Sequence, residues 1–339
     1  MTSPHPPAAR HRLAWALLPA CIIAIVLLAL VSLMAGARPL SLATVEHALT
    51  AFDARDNEHL LLRYLRLPRT VLALVAGGAL GVAGALMQTL TRNPLADPGL
   101  LGVNAGAAAA IAAAMALGAV HGPAGQVMAG FAGAAAAGAL VYAVGGLHRR
   151  HDPVRLVLAG AAMSAILLAV TQIITLNSED RVFDQFRHWV VGSLQGRSGQ
   201  VLVAVLPAVA LGAVGALALA RALDVLALGQ DLGKSLGAWP RLVWIGTAVV
   251  IVLLAGAATA AAGPLAFVGL AAPHVARHVC GPGHRRVIPY AGLVGACLLL
   301  AADTLGRVVA APDEIGAGIM AAVLGGPLFV ALARRAGMG

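Results

Sequence analysis

The chain has 339 residues, of which 60% are hydrophobic and 11% are charged, and its mean hydropathy is +0.88. Because soluble domains are about 45–50% apolar and about 25% charged, this composition excludes a water-soluble enzyme, a nucleic-acid-binding module and a disordered protein. The formal net charge is +9, and the basic residues lie in short segments between apolar runs, which indicates orientation in a bilayer. Cys21, Cys280 and Cys297 have no paired spacing, so neither a disulfide framework nor a zinc site is predicted.

Ten apolar runs approach the length of about 20 residues that crosses about 30 Å of hydrocarbon. They predict membrane spans over residues 13–36, 68–90, 99–118, 124–147, 154–176, 200–220, 241–262, 264–280, 288–310 and 316–333. Residues 1–12 are predicted to form an N-terminal tail, and residues 13–335 a single transmembrane domain. The predicted fold class is therefore an all-α polytopic membrane protein with ten transmembrane helices.

An even number of spans places both termini on one side of the membrane. Fourteen of the 23 basic residues would lie on that side. Because short loops rich in Lys and Arg remain in the cytoplasm, both termini are predicted to be cytoplasmic.

Two short strings recur half a chain apart. Residues 94–100 (PLADPGL) match residues 264–270 (PLAFVGL) at five of seven positions, and the Pro-Arg pairs at 68–69 and 240–241 each open an apolar run. A chance match among abundant Pro, Leu, Ala and Gly residues is the alternative to duplication.

The spacing of these strings predicts two five-helix halves, over about 13–176 and 200–335. Because five is an odd number, the second half would enter the membrane from the opposite side. That arrangement is the inverted repeat found in many transporters.

Motifs for nucleotide, metal or nucleophile chemistry are incomplete. Residues 229–235 (GQDLGKS) resemble a phosphate-binding loop, but three rather than four residues separate the glycines. His274 and His278 have a helical metal-site spacing without a nearby carboxylate. Asp303 and Arg307 stand one turn apart in an apolar run and are predicted to form a structural ion bridge. Other intramembrane ionisable residues are scarce, which favours an energy source outside this chain.

Several strings, in chain order, resemble the signature of FecCD-type permeases, the membrane subunits of type II ABC importers for ferric siderophores, haem and vitamin B12. The strings are 66–69 (RLPR), 84–88 (GALMQ), 93–102 (NPLADPGLLG), 226–229 (LALG), 235–237 (SLG), 263–270 (GPLAFVGL), 273–274 (PH), 300–303 (LAAD), 316–318 (GAG) and 325–329 (GGPLF). The resemblance runs from about Leu40 to Arg335.

The resemblance implies a division of labour in the bacterial cytoplasmic (inner) membrane. A second permease subunit, identical or paralogous, would complete a central pathway. Two cytoplasmic ATPase subunits would bind ATP and Mg²⁺, and a periplasmic or lipid-anchored substrate-binding protein would deliver the cargo. This chain would bind no cofactor or metal itself and would not be an enzyme.

The resemblance also assigns a docking group. Arg66, Arg69 and Arg307 match arginines that contact glutamates of the binding protein, since guanidinium groups form bidentate, charge-assisted bonds to carboxylates. The alternative is a lipid-headgroup anchor or an internal ion pair.

The loop 221–239 matches the coupling helices that fit a cleft in the ATPase. Its small residues Ala227, Gly229, Gly233 and Gly237 are expected to permit close surface contact. A plain connecting loop is the alternative.

In the family, the fifth and tenth spans line the pathway. The polar residues Ser164, Thr171 and Gln172 of the fifth span, with Gly316 and Gly318 at the start of the tenth, are the predicted lining. Bonding of these side chains to neighbouring helices is the alternative.

The segment 183–197 (FDQFRHWVVGSLQGR) resembles the ferric-siderophore branch of the family more than the cobalamin branch. A ferric siderophore is therefore the predicted cargo, with haem or vitamin B12 as alternatives. Outside this class, the sequence leaves open an ion-coupled secondary transporter with the same inverted repeat, or an intramembrane enzyme.

Overall fold

The computed structural model of the chain describes residues 7–120, 122–146 and 152–336, which are mostly helical and include no β-strand. The helices are α1 (Pro7–Met34), α2 (Leu42–Thr50), α3 (Asn57–Leu61), α4 (Leu67–Leu90), α5 (Val103–Ala116), α6 (Gly122–Gly145), α7 (Pro153–Leu176), α8 (Asp180–Val190), α9 (Gly199–Ala227), α10 (Gln230–Ser235), α11 (Pro240–Ala262), α12 (Val268–Cys280), α13 (His284–Val309) and α14 (Ala317–Ala336). One π-helical turn, Leu62–Arg66, joins α3 to α4, and a 3₁₀ turn, Pro98–Leu101, precedes α5. The all-α prediction is confirmed.

Each of the ten predicted spans overlaps one helix. Six helical stretches are long and apolar enough to cross a membrane, namely Asn57–Leu90, Gly122–Gly145, Pro153–Leu176, Gly199–Ala227, Pro240–Ala262 and His284–Val309. These stretches indicate a multi-pass membrane protein. The count of ten crossings stays a prediction because several helices are short: the 14 residues of α5 extend about 21 Å at 1.5 Å per residue.

Two predicted boundaries are wrong. The sixth span was expected to end at residue 220, but α9 continues to Ala227 because Leu223 and Leu226 are buried on its inner face and no helix breaker occurs before Gly229. The first part of the predicted loop 221–239 is therefore helical. The predicted tail also lies partly in α1, which begins at Pro7; residues 1–6 lie outside the described part of the chain.

Helices α4, α11 and α13 form the centre of the bundle, and small residues allow them to pack closely. A methyl group added at Gly81 would overlap the carbonyl oxygen of Ala291 on α13, and one added at Gly77 would overlap that of Gly295. Small residues permit such close approach where lipid provides no hydrophobic driving force between helices. Small residues therefore determine how closely α4 and α13 approach each other.

Helix α7 lies at the periphery, where it packs against α5, α6 and α8. Its exposed large apolar side chains are Val154, Leu158, Ile166, Leu168, Val170, Ile173 and Leu176. This uncovered face is available to lipid or to another chain.

The two recurring strings occupy comparable places in the fold. Residues 94–100 follow α4, and residues 264–270 follow α11, which packs against α4. Each string leads from a long central helix into the start of a shorter one. The duplication itself stays a prediction.

Candidate functional sites at the two ends of the bundle

Three arginines gather where α4 begins and α13 ends, which we call the arginine end. Arg66 and Arg69 are about one turn apart, and Arg307 follows Asp303 by one turn on α13. Because α4 and α13 pack along their lengths, residues from two distant parts of the sequence meet here.

Arg69 is the centre of a buried ionic network. Its Nη2 donates to Asp303 Oδ1 at 2.8 Å, its Nε lies 3.0 Å from both carboxylate oxygens, and its Nη1 donates to Glu314 Oε2 at 2.7 Å. Arg307 Nε lies 3.3 Å from Asp303 Oδ2, close enough for an ion pair but poorly aligned for a hydrogen bond. The predicted Asp303–Arg307 bridge is thus confirmed, although Arg69 is the better-bonded partner of Asp303.

Arg66 and Arg307 close the end of α1. Arg66 Nη1 donates to the carbonyl oxygens of Leu33 and Met34, both at 2.8 Å, and Arg307 Nη1 donates to that of Ser32 at 3.0 Å. The last carbonyls of a helix have no partner inside the helix, and these guanidinium groups satisfy them. The interactions anchor α1 to α4 and α13.

The three arginines are therefore internal residues in this structure. Arg66, Arg69 and Arg307 are 6%, 9% and 3% exposed, and each has partners within the chain. These contacts correspond to the internal-pairing alternative. A contact of these arginines with a binding protein stays a prediction. Such a contact would have to reach guanidinium groups that are already hydrogen-bonded within the chain.

A cavity of about 330 Å³ gives access to this network. Its charged lining residues are Arg38, Arg66, Arg69, Arg197, Arg307 and Glu314. A neighbouring cavity of about 350 Å³ shares Arg197 and Glu314. Burial lowers the pKa of Arg197, and its Nε has no hydrogen-bond partner among the described residues. The sequence reasoning assigned no role to Arg197 or Glu314.

The opposite end, where α9 ends and α11 begins, carries the predicted coupling loop; we call it the coupling end. Gly229 and Gly237 have φ values of 120° and 82°, and a methyl group added at either would meet open space. Gly233 packs inward against Leu226, and Ala227 is the exposed last residue of α9. Gly233 thus serves packing within the chain, and a contact of Ala227, Gly229 and Gly237 with a partner stays a prediction.

Large apolar side chains provide the exposed surface of this loop. Leu228, Leu232 and Leu236 follow one another at four-residue intervals and are 65%, 51% and 61% exposed, and Trp239 is 72% exposed. The segment therefore exposes four large apolar side chains at the coupling end. The four-residue spacing was the sequence signal that could have revealed this row.

A chain of hydrogen bonds joins the coupling end to the core. His284 Nδ1 lies 2.8 Å from Asp224 Oδ1 on α9, and its Nε2 lies 2.7 Å from Thr89 Oγ1 on α4. The backbone N–H of His284 also donates to Asp224 Oδ1 at 2.7 Å. Helices α4, α9 and α13 are therefore tied together beside the coupling loop.

A second connection lies beside it. Gln88 accepts a hydrogen bond from Arg277 Nη1 and donates to the carbonyl oxygen of Leu270 at 3.3 Å. Both partners lie on α12. This contact gives the glutamine of the GALMQ string a structural role.

The predicted pathway residues do not meet within one chain. Helix α7 packs against α5, α6 and α8, whereas α14 packs against α12 and α13. Thr171 is buried and its Oγ1 donates to Leu167 O at 2.7 Å, whereas Gln172 is exposed and Ser164 is half-buried.

Gly316 and Gly318 lie against the segment before α9. Gly318 N donates to Gly192 O at 2.9 Å, and Gly316 contacts Val191. These contacts place the beginning of α14 next to the segment that follows α8. A role for any of these residues in lining a pathway stays a prediction.

The described residues contain no cluster of three His, Cys, Asp or Glu side chains that could hold a metal ion. His274 and His278 have ring centroids 5.1 Å apart, but no third ligand joins them. The loop resembling a phosphate-binding motif forms the short helix α10 and follows helix α9 rather than a strand.

The fold defines a class of membrane protein. It superposes on a metal-chelate type ABC transporter in an inward-facing conformation with a TM-score of 0.82, at 25% identity, covering 95% of this chain and 99% of that one. The chain thus has the architecture of an ABC-transporter membrane subunit.

The chain belongs to the FecCD transport family, whose match covers residues 23–335. It is 42% identical to the ferric enterobactin permease FepD of Escherichia coli K12, over 94% of each chain. It is 38% identical to the hemin permease HmuU of Yersinia pestis, over 93% of this chain and 94% of that one, and 38% identical to the Fe(3+)-citrate permease YfmD of Bacillus subtilis 168, over 90% of each. The chain is therefore a transporter permease and not an enzyme.

Proposed function

We propose that the chain is the permease subunit of an ABC importer that passes a ferric-siderophore complex across the bacterial cytoplasmic membrane. The observation that carries this proposal is the 42% identity to a ferric enterobactin permease over nearly the full length of both proteins. Haem is the second candidate cargo, favoured by the likeness to a hemin permease. Vitamin B12 is a third candidate, implied by the family signature alone.

In this proposal the chain has ten crossings, arranged as an inverted repeat, with both termini in the cytoplasm. The arginine end then faces the outside and the coupling end faces the cytoplasm. A second permease, identical or paralogous, would cover the exposed face of α7 and complete the pathway between the two subunits. Ser164, Gln172 and the beginning of α14 are the pathway candidates.

A substrate-binding protein would dock at the arginine end through its carboxylates. The cavity there has five arginines and one glutamate in its lining. Asp303 lies below them, and Glu58 pairs with Arg38 at 3.0 Å. The cavity therefore retains excess positive charge, which steers and binds acidic side chains.

The coupling end would receive the partner ATPase. The row formed by Leu228, Leu232 and Leu236 would enter an apolar cleft of that subunit, because burial of one leucine side chain contributes about 1.5–3 kcal/mol. ATP and Mg²⁺ would bind to the ATPase. Hydrolysis in that subunit would therefore drive transport through the permease.

Uptake measurements test the cargo and the energy source separately. Cells with and without the chain are given ⁵⁵Fe-labelled siderophore, labelled haem or labelled cobalamin, with the partner ATPase intact or disabled at its phosphate-binding lysine. We expect siderophore uptake to need both the chain and the active ATPase. Uptake of haem alone would reassign the cargo, and uptake that survives loss of the ATPase but not an uncoupler would favour a secondary transporter.

A further inference from the structure

Two adjoining cavities lie beside α11 on the side of the bundle, and we call them together the groove. A cavity of about 390 Å³ lies between α6 and α11, and a cavity of about 600 Å³ surrounds the beginning of α11. Ile245 lines both. The groove thus begins at the coupling end and runs along the apolar flank of the protein.

The upper part of the groove is built for a hydrocarbon chain. Its lining is formed by Phe131, Ala135, Gly138, Ala139, Tyr142, Ala143, Ile245, Ala248, Val249, Val252 and Leu253. Gly138 lets α6 approach α11, since a methyl group added there would come 2.5 Å from Val252 Cγ2. The floor is narrow and apolar, with small residues between larger ones.

The length of this part matches one leaflet of a bilayer. Residues 131 to 143 of α6 extend about 18 Å at 1.5 Å per residue, and residues 245 to 253 of α11 about 12 Å. One leaflet contributes about 15 Å of hydrocarbon. An acyl chain of ordinary length would therefore fill the groove and end near the middle of the membrane.

The other part of the groove is basic and aromatic. It is lined by Lys234, Trp239 and Arg241, and no acidic residue lines it. Lys234 and Arg241 are exposed and form no ion pair with the described residues. Trp239, the residue before α11, is exposed, and indole rings are enriched at membrane interfaces.

We propose that this groove binds one anionic phospholipid, with its phosphate between Lys234 and Arg241 and one acyl chain between α6 and α11. Basic pockets beside membrane helices bind anionic headgroups, and each Lys or Arg near the surface adds favourable charge interaction. A cationic cavity beside an apolar cavity about one leaflet long selects a lipid over a free phosphate or a second copy of the chain. Because the coupling end faces the cytoplasm in the orientation proposed above, this lipid would belong to the inner leaflet.

The position of the site connects lipid binding to the coupling loop. Lys234 is the fifth residue of α10, and Arg241 is at the start of α11. A phosphate held between them would fix the segment that presents Leu232 and Leu236. The lipid would thereby order the surface that meets the ATPase.

Native mass spectrometry tests the site. The full chain, purified in a mild detergent, is mixed with equal amounts of phosphatidylglycerol and phosphatidylcholine that have identical acyl chains. We expect preferential retention of phosphatidylglycerol. Arg241→Gln should reduce that retention about fivefold, the effect expected for one basic group near an anionic headgroup. Arg285→Gln, an exposed arginine outside the groove, is the matched control.

A groove-filling variant tests the acyl site independently. Ala139 is exposed and lines the groove, whereas Ala136 is exposed on α6 outside it. Ala139→Phe should reduce retention of both lipids, and Ala136→Phe should leave it unchanged. Because both positions are exposed, neither variant should alter the unfolding temperature.

Several outcomes would overturn the proposal. Equal retention of the two lipids by the wild-type chain, or retention unaffected by Arg241→Gln and Ala139→Phe, would show nonspecific annular binding only. A disulfide between two copies carrying Val249→Cys, absent from the wild-type chain, would show that a second copy covers the groove. Because the measurement involves neither cargo nor ATPase, it stands apart from the proposed transport function.

Discussion

Arg69 on α4 and Asp303 on α13 form a buried, bidentate ion pair across 234 positions of sequence, with Arg69 Nη2 2.8 Å from Asp303 Oδ1. The pair fixes the ends of two helices whose glycines allow them to cross closely in the core. Asp303 is 1% exposed, so its charge depends on Arg69 and Arg307 for compensation.

Asp303→Asn should destabilise the chain strongly. Arg307 would then have no carboxylate partner among the described residues, and loss of one member of a buried ion pair costs about 3–5 kcal/mol. Thermal unfolding in detergent, followed by tryptophan fluorescence, measures the effect. Glu58→Gln, which breaks the exposed pair with Arg38, should cost at most about 1 kcal/mol. Equal unfolding temperatures for the two variants would contradict the role given to Asp303.

Gly81→Ala should disrupt the central crossing, because the added methyl group would overlap the carbonyl oxygen of Ala291. Gly78→Ala is the matched control, since its nearest neighbour outside its own helix would be 3.5 Å away. We expect a large fall in folded yield, measured by size-exclusion chromatography, for Gly81→Ala and little change for Gly78→Ala. A normal yield for both would mean that α4 and α13 are not in close contact.

Glu314→Gln should strengthen docking of the substrate-binding protein. The carboxylate of Glu314 engages Arg69 Nη1 at 2.7 Å, and a neutral amide would leave the cavity with more positive charge for an incoming carboxylate. We expect about fivefold tighter binding in nanodiscs, equivalent to about 1 kcal/mol. Glu46→Gln, an exposed change on α2, should have no effect. Weaker docking of the Glu314 variant would argue against a carboxylate site in this cavity.

Leu232→Gln should impair coupling without affecting folding. The side chain is 51% exposed on α10, so its replacement removes apolar contact area with a partner at a smaller loss of packing than in the core. Substrate-stimulated ATP hydrolysis by the assembled importer should fall severalfold. Leu49→Gln, which changes a leucine of similar exposure on α2, should leave hydrolysis intact. Unchanged hydrolysis in Leu232→Gln would show that the leucine row is not part of the coupling surface.

His284→Ala should loosen the coupling end. The change removes bonds to Asp224 and Thr89 and leaves their oxygen atoms with one partner fewer, at a cost of about 1–3 kcal/mol. Faster hydrogen exchange in the last turn of α9 and in α10 is the expected signature. His278→Ala, at an exposed position of α12, provides the comparison and should show wild-type exchange.

The helices were largely predictable from the sequence because a bilayer requires long apolar runs with internally paired backbone. Each predicted span meets a helix, and the Asp303–Arg307 pair followed from four-residue spacing. The boundary at residue 220 was wrong because the hydropathy of residues 221–227 falls while their helical pattern continues through Leu223 and Leu226. Helix ends depend on breakers and buried faces as well as on apolarity.

The sites were less predictable because they depend on contacts between distant segments. Nothing near Arg69 in sequence indicates that Asp303 and Glu314 will satisfy its guanidinium group. Likewise, the family pattern drew attention to the small residues Gly229 and Gly237, whereas Leu228, Leu232 and Leu236 provide much of the exposed apolar area of this segment. Side-chain exposure depends on the folded chain and could not be read from the motif.

The most direct test of the transport account uses sealed vesicles that contain the purified chain and a soluble substrate-binding protein. We expect no accumulation of ferric siderophore with the chain alone. Accumulation should begin only when the partner ATPase and ATP are supplied on the side of the coupling end. Concentration of the siderophore against its gradient by the chain alone would contradict the account.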